Sequence, residues 1–297
     1  MKIPLVFLGT GQAIPTIKRN HTGILLSYKA ENILVDCGEG IQRQFRKAKI
    51  NPCKLTKILI THWHGDHVLG LPGLLQTLAL NGYNRTLEVY VPKATSHFMD
   101  LIFRLFVFQG KIKYQIKEVE GKFFENSDFK LEAEKMKHGT NCNAYSFIEK
   151  EKIRIDKSKL RKYKIKGKII SILQQGKDIV WQGKKTHAKD ITYKQPQRKI
   201  TFIFDTGMNY NAIKIAKDSD LLICESTYIK ADADKAEERD HLTAEQAAEI
   251  AKKAKVEKLI LTHLSQRYEH KEKLILQEAK KIFKNVSIAE DLDTVEI

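Results

Sequence analysis

Short apolar runs recur along the chain at 5–8, 24–27, 33–35, 58–60, 87–91, 147–148, 200–204, 221–224 and 259–261. Runs this short, set between polar or glycine-bearing stretches, predict strands. Two longer stretches instead repeat their apolar residues at helical spacing. Residues 244–254 are the clearer, opened by Thr243 as N-cap with Gln246 three positions on, a capping box. Residues 272–283 are the other. Strands and helices intermingle from end to end, so the expected class is α/β. One predicted strand after another ends near a polar residue: Asp36, His62, Asp205, Glu225 and His263. Polar groups at successive strand ends are how such a scaffold assembles a site from distant sequence. Phe98, Phe103, Phe106 and Phe108, among Leu101, Ile102 and Leu105, are expected to pack in the core.

The strand at 58–60 runs into Thr61-His62-Trp63-His64-Gly65-Asp66-His67, three imidazoles and a carboxylate within six consecutive residues. Gly65 lets the backbone turn tightly there. Four metal-binding groups on one turn suit a pair of borderline cations such as Zn²⁺ better than one closed tetrahedral site. His62 and His64 can bite one ion, while Asp66 and His67 point toward a second. A polar surface loop that happens to hold three histidines would have no reason to adopt this spacing. Two ions need further ligands, and His138, Asp205 and His263 each follow a predicted strand. Taken singly, each is more often a structural residue than a ligand.

The chain has 297 residues, 42 % of them hydrophobic, enough for one large domain or two modest ones. Its net charge is +16, with an isoelectric point near 9.5. That surplus favours a polyanionic partner, nucleic acid first, unless lysine is merely abundant throughout. Residues 150–168 hold ten basic and two acidic residues, half of the surplus in nineteen positions. Their apolar residues (Ile153, Ile155, Leu160, Ile165) look too sparse to bury much, so the segment reads as a solvated loop or an RNA-gripping protrusion. Cys37, Cys53, Cys142 and Cys224 form no C-x-x-C pair, which argues against a disulfide framework or a thiolate finger. The N-terminal segment is broken by Pro4 and Gly9 too early for a signal peptide, and no run approaches the roughly 20 apolar residues of a membrane span. A cytoplasmic protein with no membrane partner is expected.

The order His-x-His-x-Asp-His, then His138, Asp205 and His263, resembles the metallo-β-lactamase superfamily. The closer resemblance is to the tRNase Z family, the endonucleases that remove 3′ trailers from precursor tRNA. It is carried by Phe7-Leu8-Gly9-Thr10-Gly11, Pro15-Thr16 with Arg19-Asn20, Leu34-Val35-Asp36-Cys37-Gly38-Glu39-Gly40, His241-Leu242-Thr243-Ala244 and His263-Leu264-Ser265 with Arg267-Tyr268. These lie in collinear order from about residue 3 to 270.

The resemblance implies a single αββα sandwich of two mixed sheets flanked by helices over 1–297, with a flexible tRNA-binding arm inserted at 150–180. It implies two Zn²⁺ ions, with Mn²⁺ or another divalent metal as an alternative. His62, His64 and His138 would hold one ion, Asp66, His67 and His263 the other, with Asp205 as bridge. Water activated there would attack the phosphodiester after the discriminator nucleotide, leaving a 3′ hydroxyl on the tRNA. Asp66 would orient that water or accept its proton while remaining a ligand, and His241 would protonate the leaving oxygen, with Glu225 placed to hold its imidazole. Without the resemblance His241 would pass as a helix-flanking surface residue. Lys157, Lys159, Arg161, Lys162, Lys164, Lys166 and Lys168 would grip phosphates without reading bases. Arg267 could hold a phosphate and Tyr268 stack a base, although an ordinary surface pair is nearly as good a reading. A homodimer is implied, with no DNA partner.

Two departures stand out. The arm has only Gly167 and Gly176 where family arms are rich in glycine and proline, and a usual Gly-Asp-Thr-Arg becomes Phe204-Asp205-Thr206-Gly207. Two rivals share parts of the pattern. A hydrolase of small cyclic or aryl phosphodiesters would use the same ligands without needing the basic arm. A non-catalytic RNA-binding protein on a decayed scaffold would need no complete ligand set.

Overall fold

The structure is a computed structural model and describes residues 2–107 and 112–297. It divides into two compact units. The first comprises 1–124, 131–147 and 199–297, the second 125–130 and 148–198.

Two seven-stranded mixed sheets organise the larger unit. The first runs, edge to edge, Thr294–Glu296, Pro4–Gly9, Gly23–Tyr28, Glu31–Val35, Lys57–Leu59, Thr86–Val91 and Lys113–Glu118. The second runs Val286–Ile288, Lys258–Thr262, Leu221–Glu225, Arg198–Ile203, Asn143–Glu149, Phe129–Lys135 and Gly121–Glu125. Period-2 alternation sorts the side chains. Leu25 and Leu34 turn to a cluster with Phe45 and Leu74 from the flanking helices, so Ile24, Leu26, Ile33 and Val35, also buried, face the other way. Leu259 and Leu261 likewise join Ala247, Ala251, Ile275 and Ala279. Between the sheets Tyr28 meets Phe147 edge-on at 5.3 Å, and the Tyr145 hydroxyl donates to the Ile60 carbonyl. This is the expected αββα sandwich.

The helices form where the pattern requires them. Ala244–Lys253 carries the predicted capping box, and Glu272–Ile282 fills the second helical stretch. Ile41–Lys47 buries Ile41, Gln44 and Phe45 while Gln42, Arg43, Arg46 and Lys47 face outward. Truncating Phe45 to alanine would cost about 3–5 kcal/mol.

The aromatic stretch departs from expectation. In the helix His97–Leu105 only Met99 is buried, with Ile102 and Phe103 half-buried against the core. Phe98, Leu101, Leu105 and Phe106 are exposed, Leu105 by 75 %. One stripe of the helix meets the core, and its other apolar stripe faces outward. Phe108 lies outside the described residues.

The smaller unit extends beyond the expected arm at both ends and has its own interior. Ile165, Leu173, Ile179, Ala188 and Ile191 form a cluster, with Ile155, Leu160, Ile169 and Trp181 packed against it. The expectation that the basic segment buries little is therefore wrong. Its sparse apolar residues are completed by partners at 169–191, beyond the basic run. Two ribbons, Lys152–Ile155 with Thr192–Gln195 and Ile179–Trp181 with Lys184–Thr186, frame this interior. Asp156 caps the helix Lys157–Lys162 by accepting from the amides of Ser158 and Lys159. Among the described residues no helix is long and apolar enough to cross a membrane.

Candidate metal centre

The predicted ligands meet because parallel strands deliver them to one edge. Lys57–Leu59, Arg198–Ile203, Leu221–Glu225 and Lys258–Thr262 end close to His62, Asp205, Glu225 and His263. His64 begins a short helix, Gly65–Val68, whose first turn holds Asp66 and His67. Asp36 (φ 57°) and His263 (φ 58°) are among the residues with left-handed backbone. Such conformations are unfavourable for side chains other than glycine and persist where the surroundings over-determine them.

The donors form two groups that share Asp205. In the first, His62 Nε2 lies 3.0 Å from His64 Nδ1, and His138 Nε2 lies 3.2 Å from the same atom. Asp205 Oδ2 stands 3.5 Å from His62 Nε2 and 3.9 Å from His138 Nε2. In the second, His67 Nε2 and His263 Nε2 are 3.2 Å apart, each 3.4 Å from Asp66 Oδ2. Asp205 Oδ1 lies 3.3 and 3.1 Å from those two nitrogens. Tetrahedral coordination with bonds of about 2.0–2.1 Å puts ligand atoms about 3.3 Å apart. Both groups match. Asp205 Oδ1 is buried without a hydrogen-bond donor, a costly arrangement unless a cation satisfies it.

Four of the five candidate imidazoles have their other ring nitrogen anchored. His67 Nδ1 meets Asp36 Oδ2 at 2.7 Å, His62 Nδ1 the Thr61 hydroxyl at 3.1 Å, His138 Nδ1 the Asp240 carbonyl at 3.2 Å, and His263 Nδ1 the Thr227 hydroxyl at 3.1 Å. Asp36 also accepts from the amide and hydroxyl of Thr61, both at 2.7 Å. Such outer partners fix ring orientation and raise ligand basicity.

Electrostatics follow the geometry. Burial, aided by neighbouring imidazoles, lowers the pKa of His62, His64 and His138 and favours the neutral form that binds metal. Burial also acts against charge on His67, but Asp205, Asp36 and Asp66 outweigh it and raise its pKa. For Asp66 and Asp205 burial opposes ionisation, and the surrounding histidines override it and hold both carboxylates well below their usual range.

His241 stands beside the ligands, its ring 5.5 Å from that of His138 and 5.8 Å from that of His263. Its Nδ1 lies 3.1 and 3.2 Å from the two oxygens of Glu225, the pairing expected from sequence. Glu225 accepts further bonds from the Thr206 amide and the Thr227 hydroxyl. Burial lowers the His241 pKa, but Glu225 and Asp205 outweigh it and push it up to about 9.

The other predicted residues fall elsewhere. The seven lysines and arginines from Lys157 to Lys168 are all exposed on the smaller unit. Lys157, Arg161, Lys164 and Lys166 line a cleft of about 850 Å³ there. Arg267 lies 3.5 Å from Asp232 and over the Tyr228 ring. Tyr268 is buried and donates to Asp232, so it is not available to stack a base. Beside Gly207, where an arginine is usual, Lys137 reaches Asp240 at 3.2 Å and keeps a cation near the ligands. Asp36 stood out in the sequence as a strand-end carboxylate, but nothing there paired it with His67. Thr227 carried no signal, because its role is visible only once His263 and Glu225 are brought together.

A family model described as "Anti-Pycsar protein Apyc1" matches residues 3–156. The ribonuclease Z of Methanothermobacter thermautotrophicus is 37 % identical over 297 residues, spanning 99 % of this chain and 96 % of the relative. The solved human tRNase Z, short form, superposes with a TM-score of 0.71 at 27 % identity, covering 98 % of each chain. The metallo-β-lactamase fold protein YhfI of Bacillus subtilis superposes with a TM-score of 0.72 at 19 % identity over the full length of both, a likeness of fold.

Proposed function

This chain belongs to the ribonuclease Z family, its residues 3–156 also belonging to the family described as Anti-Pycsar protein Apyc1, and we propose from that premise that its paired donor sets hold two zinc ions. It is a metal-dependent endoribonuclease of tRNA 3′ processing with the metallo-β-lactamase fold. The observation carrying the two-ion reading is Asp205, whose two oxygens face separate groups of donors. Three imidazoles with one carboxylate oxygen, and two imidazoles with two, suit zinc better than the all-oxygen shells of magnesium or calcium. Mn²⁺ is the alternative occupant.

Bound there, the ions supply positive charge that polarises the scissile phosphate and acidifies the attacking water. The chain's own groups do the rest. Asp66, held ionised, accepts a hydrogen bond from that water and orients it. Its depressed pKa makes it a weak proton acceptor. His241 is held in its charged form by Glu225, so with Nδ1 on the carboxylate its Nε2 proton is free to pass to the departing 3′ oxygen. That cut falls after the discriminator nucleotide and leaves a 3′ hydroxyl on the tRNA. The exposed cations at 157–168 grip the precursor's phosphates in a cytoplasmic enzyme.

The working form is a homodimer. Trp63, Leu69, Pro72, Leu101, Leu105 and Phe106 line an apolar groove of about 540 Å³, a surface that a second copy would cover.

A second reading, hydrolysis of small cyclic or aryl phosphodiesters, would use the same donor sets without the basic unit, and the family match over residues 3–156 does not separate it from the first. That match stops short of Asp205, His241 and His263, whereas the ribonuclease relatives extend over all of them. Incubating the zinc-loaded protein with a precursor tRNA and mapping the cut separates the two. A 3′ hydroxyl at the discriminator supports the ribonuclease reading, and turnover of small esters alone supports the other.

A further inference from the structure

Residues 40–56 contain five basic residues and no acidic one. Three of them, Arg43, Arg46 and Lys49, line a cleft of about 630 Å³ between the helices Ile41–Lys47 and Leu71–Leu80, together with Asn51, Thr77 and Asn81. No carboxylate lines this cleft. Among the described residues none of the three cations has an ion-pair partner, whereas Lys57, Lys117, Lys214 and Lys230 of the same unit are each paired. Like charges three apart on a helix repel, and Arg43 and Arg46 are so placed. Arg43 and Arg46 lie about 4.5 Å apart along the helix axis and Lys49 follows the helix end, so the row meets a string of phosphates better than a single anion.

The cleft belongs to the same unit as the metal centre. The loop before this helix is tied to the ligands, the Cys37 amide donating to the His67 carbonyl and the Gly70 amide to the Cys37 carbonyl. The Gln42 carboxamide lies over Gly73, beside the cleft. Among the described residues no aromatic ring lines the cleft, which leaves none of them for an unstacked base to stack on. Its amides, hydroxyl and cations instead fit the phosphates and ribose hydroxyls of a paired stem.

We propose that this cleft is a second RNA-backbone subsite, separate from the basic smaller unit, which binds phosphates in a paired stem of the precursor. The proposal rests on the ribonuclease reading above. The test is the triple variant Arg43→Gln, Arg46→Gln, Lys49→Gln, compared with wild type on a precursor tRNA and on bis(p-nitrophenyl) phosphate. The KM for precursor should rise about tenfold at unchanged kcat, and the slope of log KM against log salt should fall by about two. Hydrolysis of the small ester and the melting temperature should not change, and Arg46→Lys should retain the wild-type KM. A variant with wild-type KM and salt slope overturns the subsite. So does loss of inorganic pyrophosphate binding with RNA kinetics intact, which makes the cleft a small-anion site. Failure of the wild-type protein to cut precursor at all overturns the ribonuclease reading itself, a distinct result.

Discussion

The metal centre and the basic smaller unit solve opposite problems. The centre gathers seven side chains, four of them on buried residues, into two sets of atoms spaced a little over 3 Å apart. Each imbalance there is answered by a named partner: Asp36 for His67, Thr227 for His263, Glu225 for His241. The smaller unit spreads its cations over exposed positions around an interior of its own. Chemistry at a point requires each group in its place. Attraction to a polyanion requires only enough charge facing one way, so it tolerates the loss of any single member. The first arrangement should fail abruptly under substitution, the second by degrees.

Asp205→Ala should break that contrast most sharply. It removes the donor common to both sets, and metal content measured by mass spectrometry should fall together with hydrolysis of RNA and small esters alike. Retention of two ions per chain would show that Asp205 is not the bridge. His241→Ala should come next, lowering kcat on precursor by about 10²–10⁴-fold while metal content stays at wild type. The companion Glu225→Gln has a definite sign. The Glu225 charge raises the His241 pKa, so removing it should move the alkaline limb of the kcat profile to lower pH, whereas an unmoved limb would detach this pair from proton transfer.

Asp36→Asn tests the outer shell and should weaken metal binding by about 10–100-fold, read by competition with a chelator. The smallest effects belong to the smaller unit. Replacing Lys157, Lys159 or Lys162 singly by Gln should barely move KM. Replacing all seven cations from Lys157 to Lys168 should raise KM and flatten its salt dependence, with small-ester turnover intact. A large loss from any single lysine would mean that this unit, too, holds a precise site.

Of the candidate ligands, His62, Asp205 and His263 were marked in the sequence because the parallel strands before them are short, apolar and clearly bounded. The capping box at Thr243 and the helix it opens were legible for the same local reason. What escaped depends on partners remote in sequence. The interior of the smaller unit needed Leu173, Ile179 and Ile191, outside the basic run that drew attention. The strand Lys113–Glu118 carries mostly polar residues on a half-exposed edge, so its apolar signal is weak. Phe98, Leu101 and Leu105 read as core because an exposed apolar stripe has the composition of an interior.

The spread of the ligands along the chain also sets a timetable. His62 and His64 emerge early in synthesis, yet the bridging carboxylate waits for Asp205 and the second set waits for His263, near the C-terminus. A chain that stops short of residue 263 has a first set and no second. Filling both donor sets would therefore require synthesis past residue 263.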